Sequence, residues 1–134
     1  MSATIIALAG YIAWTVLLLL ALIGYRSAAV AKGEKMANEF SASGDDVSAL
    51  GQRITRAQAN CVEIFPIVGG TLLLALAADQ TAVTDGLALV VLGARLAQSV
   101  VHMLSTAVMA VQLRLVFFAV QLGICLYWLF LMVL

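Results

Sequence analysis

The sequence predicts an all-α integral membrane protein built as a four-helix bundle. Three observations carry that prediction. The chain is 64% hydrophobic and only 10% charged over its 134 residues, more apolar surface than a water-soluble domain of that length can bury. Its apolar residues fall in four continuous runs, at roughly 4–25, 54–78, 83–104 and 113–134, each close to the ~20 residues a helix needs to cross a bilayer. None of the runs alternates apolar with polar residues as a barrel strand does, so a helix is the conformation that satisfies each backbone within lipid. One domain spanning residues 1–134 accommodates all four.

The first run, within "MSATIIALAGYIAWTVLLLLALIGY", has no basic residue ahead of it. It is too long for the apolar region of a typical signal peptide and is expected to be a retained span. Residues 27–52, "SAAVAKGEKMANEFSASGDDVSALGQ", are rich in Ser, Ala, Gly and charge. They form a solvent-exposed connection that extends the first helix before a flexible turn at "SASGDD". The second run contains Pro66, the only proline, which is expected to loosen or kink its helix. The short, acidic "ADQTAVTD" leads to the third run, and a short connection at about 105–112 leads to the fourth.

Charge sets the expected orientation. Arg26, Lys32, Lys35, Arg53 and Arg56 flank the first connection, and Arg114 opens the fourth run on the same side. The N-terminus and the second connection carry no Lys or Arg. Residues 27–52 and 105–112 are therefore expected in the cytoplasm, with both termini outside. The uncharged N-terminus and the lack of a sorting signal point to a bacterial inner membrane, with an organellar membrane as the alternative. Seven basic and seven acidic residues cancel, and no basic tract exists, so nucleic acid is excluded as a partner. Cys61 and Cys125 lie in apolar runs without a CxxC or metal-type neighbour. They read as small buried hydrophobes, and no metal is expected.

The polar residues of the second and third runs are not scattered. At 100° per residue, Arg53, Arg56, Asn60 and Glu63 fall within an arc of about 80°. Gln58 and Cys61 point away from it. Glu63 lies on the order of 15 Å beyond Gln52, near the middle of the bilayer, where an ion costs at least ~2.5–3.5 kcal/mol. Arg95, Gln98 and His102 form a second stripe within about 60°, with Ser99 beside them, and Arg95 reaches a similar depth. Glu63 and Arg95 are expected to pair or to share one network. The bland reading is interhelical adhesion, with Arg53 and Arg56 snorkelling to the interface. The two stripes hold more polar groups than adhesion requires, and predict a polar pocket open to the cytoplasm. Several guanidiniums beside one carboxylate and amides suit a small zwitterion with more carboxylates than amines, while the surrounding lipid delivers a hydrophobic second compound.

The segment "RITRAQANCVEIFP" at 53–66 supplies Arg53, Arg56, Ala57, Gln58, Asn60, Cys61, Glu63, Phe65 and Pro66. It resembles the second-helix signature of the MAPEG family, the membrane-associated proteins of eicosanoid and glutathione metabolism. The wording is nearest that of the leukotriene C synthases, and "QLRL" at 112–115 is similar to their fourth-span opening. The resemblance covers the whole chain. It implies a homotrimer that binds glutathione at each subunit boundary and meets lipids and a lipophilic small-molecule substrate. Arg56, Gln58, Asn60 and Glu63 match family glutathione contacts, and Arg26 looks like the arginine that holds a glutathione carboxylate. Arg53, Arg95, Gln98 and His102 join that binding set from the stripes. Arg114 resembles the arginine that stabilises the thiolate, and is the expected catalytic residue. A neighbouring subunit would explain how Gln58 reaches a ligand. Gln98 and His102 stand where the family often has tyrosines, and Ile64 stands where its synthases often have an aromatic.

The resulting expectation is a membrane-embedded glutathione-dependent transferase or peroxidase acting on lipophilic electrophiles. A non-catalytic lipid-binding member, similar to the five-lipoxygenase-activating protein, is the first rival. A small proton-coupled exporter is a second, against which the arginine-rich stripe counts because it repels cationic drugs.

Overall fold

The structure is a computed structural model that describes residues 1–33, 35, 36, 38, 48–104 and 108–134. It is an all-α four-helix bundle: α1 (Ala3–Ala31), α2 (Ala49–Ala77), α3 (Thr81–Leu104) and α4 (Val108–Val133). All four helices are long and apolar enough to cross a membrane. α1 runs past its apolar stretch into the first connection, as expected, and ends with Gly33 in the left-handed region, φ 74°. The turn expected at "SASGDD" lies outside the described residues. α4 starts at Val108 rather than at 113, because Val108–Val111 is an apolar run with no breaker. The expected connection at 105–112 is correspondingly shorter. α2 continues through Pro66 without a break. The lost N–H removes one ladder bond, and the helix persists because its neighbours hold it.

α1 packs against α2 and α3, whereas α4 packs against α3 and, less extensively, α2. α1 and α4 make no backbone approach to each other. The seam of α1 is Thr4, Ala7, Tyr11, Leu18, Leu22 and Ala29, buried at spacings of three, four and seven residues that keep one face inward. In lipid, close packing rather than water exclusion drives this association, so small residues matter. A Cβ on Gly10 would stand 2.8 Å from Leu92 Cδ2. The bare glycine therefore lets α1 lie close to α3. The outward faces carry exposed Leu17, Leu20, Leu115, Leu126 and Phe130, a surface for lipid or for another subunit.

Hydroxyls within the spans bond inside their own helices: Thr15 to the Tyr11 carbonyl, Thr55 to Gly51 and Thr71 to Ile67. Such back-bonding satisfies a polar group where no water is available. The α2–α3 turn closes with Gln80 N–H donating to the Ala75 carbonyl at 2.8 Å and Asp79 left-handed at φ 56°. This is the six-to-one bond of a Schellman cap, with aspartate in the place glycine usually takes.

Opposite ends of the bundle are tied differently. At the end bearing the termini, Asp85 Oδ1 accepts from the Thr4 backbone N–H at 2.9 Å and from the Thr4 hydroxyl at 2.6 Å. A carboxylate from α3 thus caps one orphan N–H group of α1 and complements its dipole. Replacing it with Asp85→Ala is expected to lower the Tm in detergent while ligand binding at the far end stays unchanged. Equal Tm values for the two proteins would refute the cap's contribution. At the basic end, Tyr25 hydrogen-bonds Ser48, the N-cap of α2, and Arg53 Nε donates to the Met103 carbonyl at 2.8 Å.

Candidate functional site

A cavity of about 340 Å³ opens between α2, α3 and α4, within the ~300–1,000 Å³ range of small-molecule sites. Asn60 and Glu63 come from α2, Gln98 and His102 from α3, and Val111, Arg114, Leu115 and Phe118 from α4. Spacing explains the convergence. Asn60 and Glu63 are three residues apart on α2, and Gln98 and His102 are four apart on α3, so each pair shares a face. On α4, Val111, Leu115 and Phe118 follow a three-and-four spacing and form an apolar wall, with Arg114 at its edge.

A smaller cavity of about 140 Å³ adjoins it and shares His102, Val111 and Arg114. Gln52, Arg53 and Arg56 complete its lining. The site therefore has two chambers: a smaller, arginine-lined one toward the basic end, and a larger one deeper along the bundle with amides, one carboxylate and an apolar wall. Three arginines and one carboxylate line the two chambers. In a low-dielectric surround that imbalance attracts an anion.

The deep wall is backed by a relay of side chains from all four helices. Arg95 Nη2 donates to Asn60 Oδ1 at 3.0 Å, and Gln98 Nε2 donates to the same oxygen at 3.3 Å. Gln121 Nε2 donates to Gln98 Oε1 at 2.8 Å and to the Phe117 carbonyl at 3.0 Å. Tyr11 Oη donates to Gln121 Oε1 at 2.9 Å. Tyr11, Arg95 and Gln121 are fully buried. Arg95 Nε and Nη1, Ser99 Oγ, His102 Nδ1 and Arg114 Nε are buried without a hydrogen-bond partner. Buried polar atoms left unpaired carry a desolvation cost. Four of these five atoms belong to residues on the cavity or on the relay behind it.

The expected stripes come together, with specific departures. Asn60, Glu63, Gln98, His102 and Arg114 line one chamber, and Arg53 and Arg56 line the other. The expected Glu63–Arg95 pair is not formed: among the described residues, Arg95 donates to Asn60. Asn60 and Glu63 differ by about 60° around α2. Asn60 turns toward α3, whereas Glu63 is exposed at the outer edge. Arg95 itself does not line the cavity and acts behind the wall. Arg53 is not a free snorkelling cation, because its Nε is committed to the last turn of α3, where cations are favoured by the helix dipole. Gln58, half-buried, lines neither chamber. Arg26 lies at the basic end of α1, half-buried and engaged by other groups, and also lines neither.

Sequence reasoning missed Tyr11, Gln121 and the α4 wall. Gln121 did carry a signal: it is a lone amide in an apolar run, seven residues from Arg114 and so on the same helical face. Cys61 is buried with its Sγ 3.3 Å from Thr15 Oγ1, and Cys125 is buried as well. Neither lines the cavity. Among the described residues no His, Cys, Asp and Glu cluster could hold a metal ion.

Comparison with protein families adds one finding. The model described as the MAPEG family matches residues 4–134. No curated protein and no solved structure matches the chain.

Proposed function

The chain belongs to the MAPEG family, and from that premise we propose that it is a glutathione-dependent transferase or peroxidase acting on lipophilic electrophiles in the membrane. The family commonly uses glutathione. The observation that carries the reading is the two-chambered cavity, in which arginines, one carboxylate, amides and an apolar wall meet.

The residues fit the tripeptide's chemistry. Glutathione carries two carboxylates, one ammonium and one thiol. Arg53 and Arg56 in the smaller chamber suit carboxylates, and Glu63 suits the ammonium. Arg114 spans both chambers, and its guanidinium favours the ionised form of a thiol beside it. The proton leaves toward the basic end. The thiolate, the nucleophile that glutathione supplies, then forms a bond to the electrophile, whose leaving group departs with its electron pair. Val111, Leu115 and Phe118 offer the apolar compound a surface continuous with the lipid-facing side of α4.

The proposed assembly is a homotrimer, with glutathione at each subunit boundary. Glu63 supports it: an exposed carboxylate at mid-membrane depth needs cover that one subunit does not provide. A neighbouring copy would also bring Arg26 and Gln58 to the site. Residues 1–134 act as one domain in this proposal, in a bacterial inner membrane, with the basic end cytoplasmic and the termini outside.

The test is turnover of a chlorinated aromatic electrophile with glutathione by the purified protein. Wild type is expected to turn over. Glu63→Gln is expected to raise the KM for glutathione about tenfold with little change in kcat, the pattern of lost ground-state binding. A non-catalytic lipid-binding role is the second reading. It is favoured by the cavity lining, which has Gln98 and His102 and no tyrosine hydroxyl. The absence of both turnover and thiolate absorbance on adding glutathione would establish it instead.

A further inference from the structure

We propose that Arg95 is a positioning residue that orients the amide of Asn60, so that its N–H groups face an anionic ligand atom in the cavity. The inference rests on the glutathione reading above, in which that atom is the thiolate sulfur.

The argument begins with what arginine cannot do. A guanidinium donates hydrogen bonds and accepts none. The Asn60 atom that meets Arg95 Nη2 at 3.0 Å must therefore be the carbonyl oxygen. The two ends of an amide turn together, so Nδ2 is directed away from Arg95. Gln98 meets the same oxygen and must present Nε2 to it, which leaves Gln98 Oε1 to accept from Gln121. The Phe117 carbonyl, which only accepts, holds Gln121 in the matching direction. Gln121 Oε1 is then left for the Tyr11 hydroxyl. The relay has one polarity, enforced by a donor-only group at one end and an acceptor-only group at the other.

Asn60 is the relay member at which that polarity reaches a ligand. It lines the deep chamber while its oxygen is committed to the relay behind it. The chamber thus meets a donor. A flipped amide would present an oxygen instead and repel an anion. Without Arg95 the only hold on Asn60 Oδ1 would be Gln98 at 3.3 Å, the longest bond of the relay. Arg95 also polarises the amide it binds, which strengthens the N–H on the other side. Because Arg95 is fully buried and does not line the cavity, its effect on a ligand passes through Asn60 and through its charge in a low dielectric.

The experiment measures binding of glutathione and of S-methylglutathione, which has no ionisable thiol, to the full-length protein in detergent. Thiolate absorbance is recorded alongside. Arg95→Gln is expected to weaken glutathione by about tenfold, the size of one charge-assisted hydrogen bond, and to remove the thiolate absorbance. S-methylglutathione affinity should change far less. Arg95→Lys, which also only donates, should restore most of the glutathione affinity. Asn60→Asp keeps a partner for Arg95 but loses the donor, and should likewise lose the thiolate signal. Equal weakening of both ligands by Arg95→Gln would mean a merely structural role and overturn the inference. Full thiolate absorbance in either Arg95→Gln or Asn60→Asp would also overturn it, and the second variant carries the test if the first does not assemble. Wild type that binds neither ligand overturns the glutathione reading itself, and the inference with it. Wild type that binds glutathione as a thiolate, with variants that keep that signal, overturns the inference alone.

Discussion

Arg114→Ala is expected to lower kcat/KM for glutathione conjugation by about 10²–10³, the usual cost of deleting a preorganised group that stabilises transition-state charge. The expectation follows from position. Arg114 borders both chambers, and its Nε is buried without a hydrogen-bond partner. A cation there stabilises a thiolate more than a thiol. Its removal should therefore reduce kcat and abolish thiolate absorbance, while binding of S-methylglutathione falls much less. Arg114→Lys should recover part of the rate, because the charge is restored without the planar fork. Full activity in Arg114→Ala would remove the residue from the catalytic role.

Asn60→Leu is expected to destabilise the folded protein by about 2–3 kcal/mol, the value of a hydrogen bond to a buried charge. Arg95 is fully buried, and it donates to Asn60 Oδ1 at 3.0 Å. Removing that partner leaves a buried guanidinium with less to offset its desolvation. The double variant Asn60→Leu with Arg95→Met should recover most of the loss, because an uncharged side chain of similar reach carries no such cost. Unfolding in mixed micelles measures both, and a double-mutant cycle isolates the coupling. Additive effects would show that Asn60 does not offset the Arg95 charge.

The two predictions draw on different kinds of information. Arg114 was accessible from the sequence, through "QLRL" and its place at the start of an apolar run. The Arg95–Asn60 bond was not. Both residues were placed on polar stripes, but Arg95 was expected to pair with Glu63 or to share one network with it. Choosing between two α2 residues one turn apart depends on how far α2 is rotated against α3. Packing around Ile64, Val68 and Val91 sets that rotation, and no single helix encodes it. Arg53 is a similar case. Its sequence position is that of an interfacial cation, and its bond to Met103 exists only because α3 ends beside the start of α2.

Gln121 and Tyr11 show the opposite gap. Each was visible as a polar group in an apolar run, yet neither meant anything until four helices came together. α1 and α4 make no backbone approach, and two long side chains bridge them across the bundle. The apolar wall of the cavity was also illegible, because Val111, Leu115 and Phe118 differ in nothing from the lipid-facing residues around them.

By itself the sequence determined the solvent, the number of helices, the inward face of α3, and the charge asymmetry between the two ends. Each of these follows from properties local to one segment: hydropathy, length, and a period of 3.6 residues. Only the tertiary structure decided which buried donor meets which acceptor, and which apolar side chains face the cavity rather than lipid. Those outcomes depend on the relative rotation and depth of neighbouring helices, which close packing sets jointly for the whole bundle.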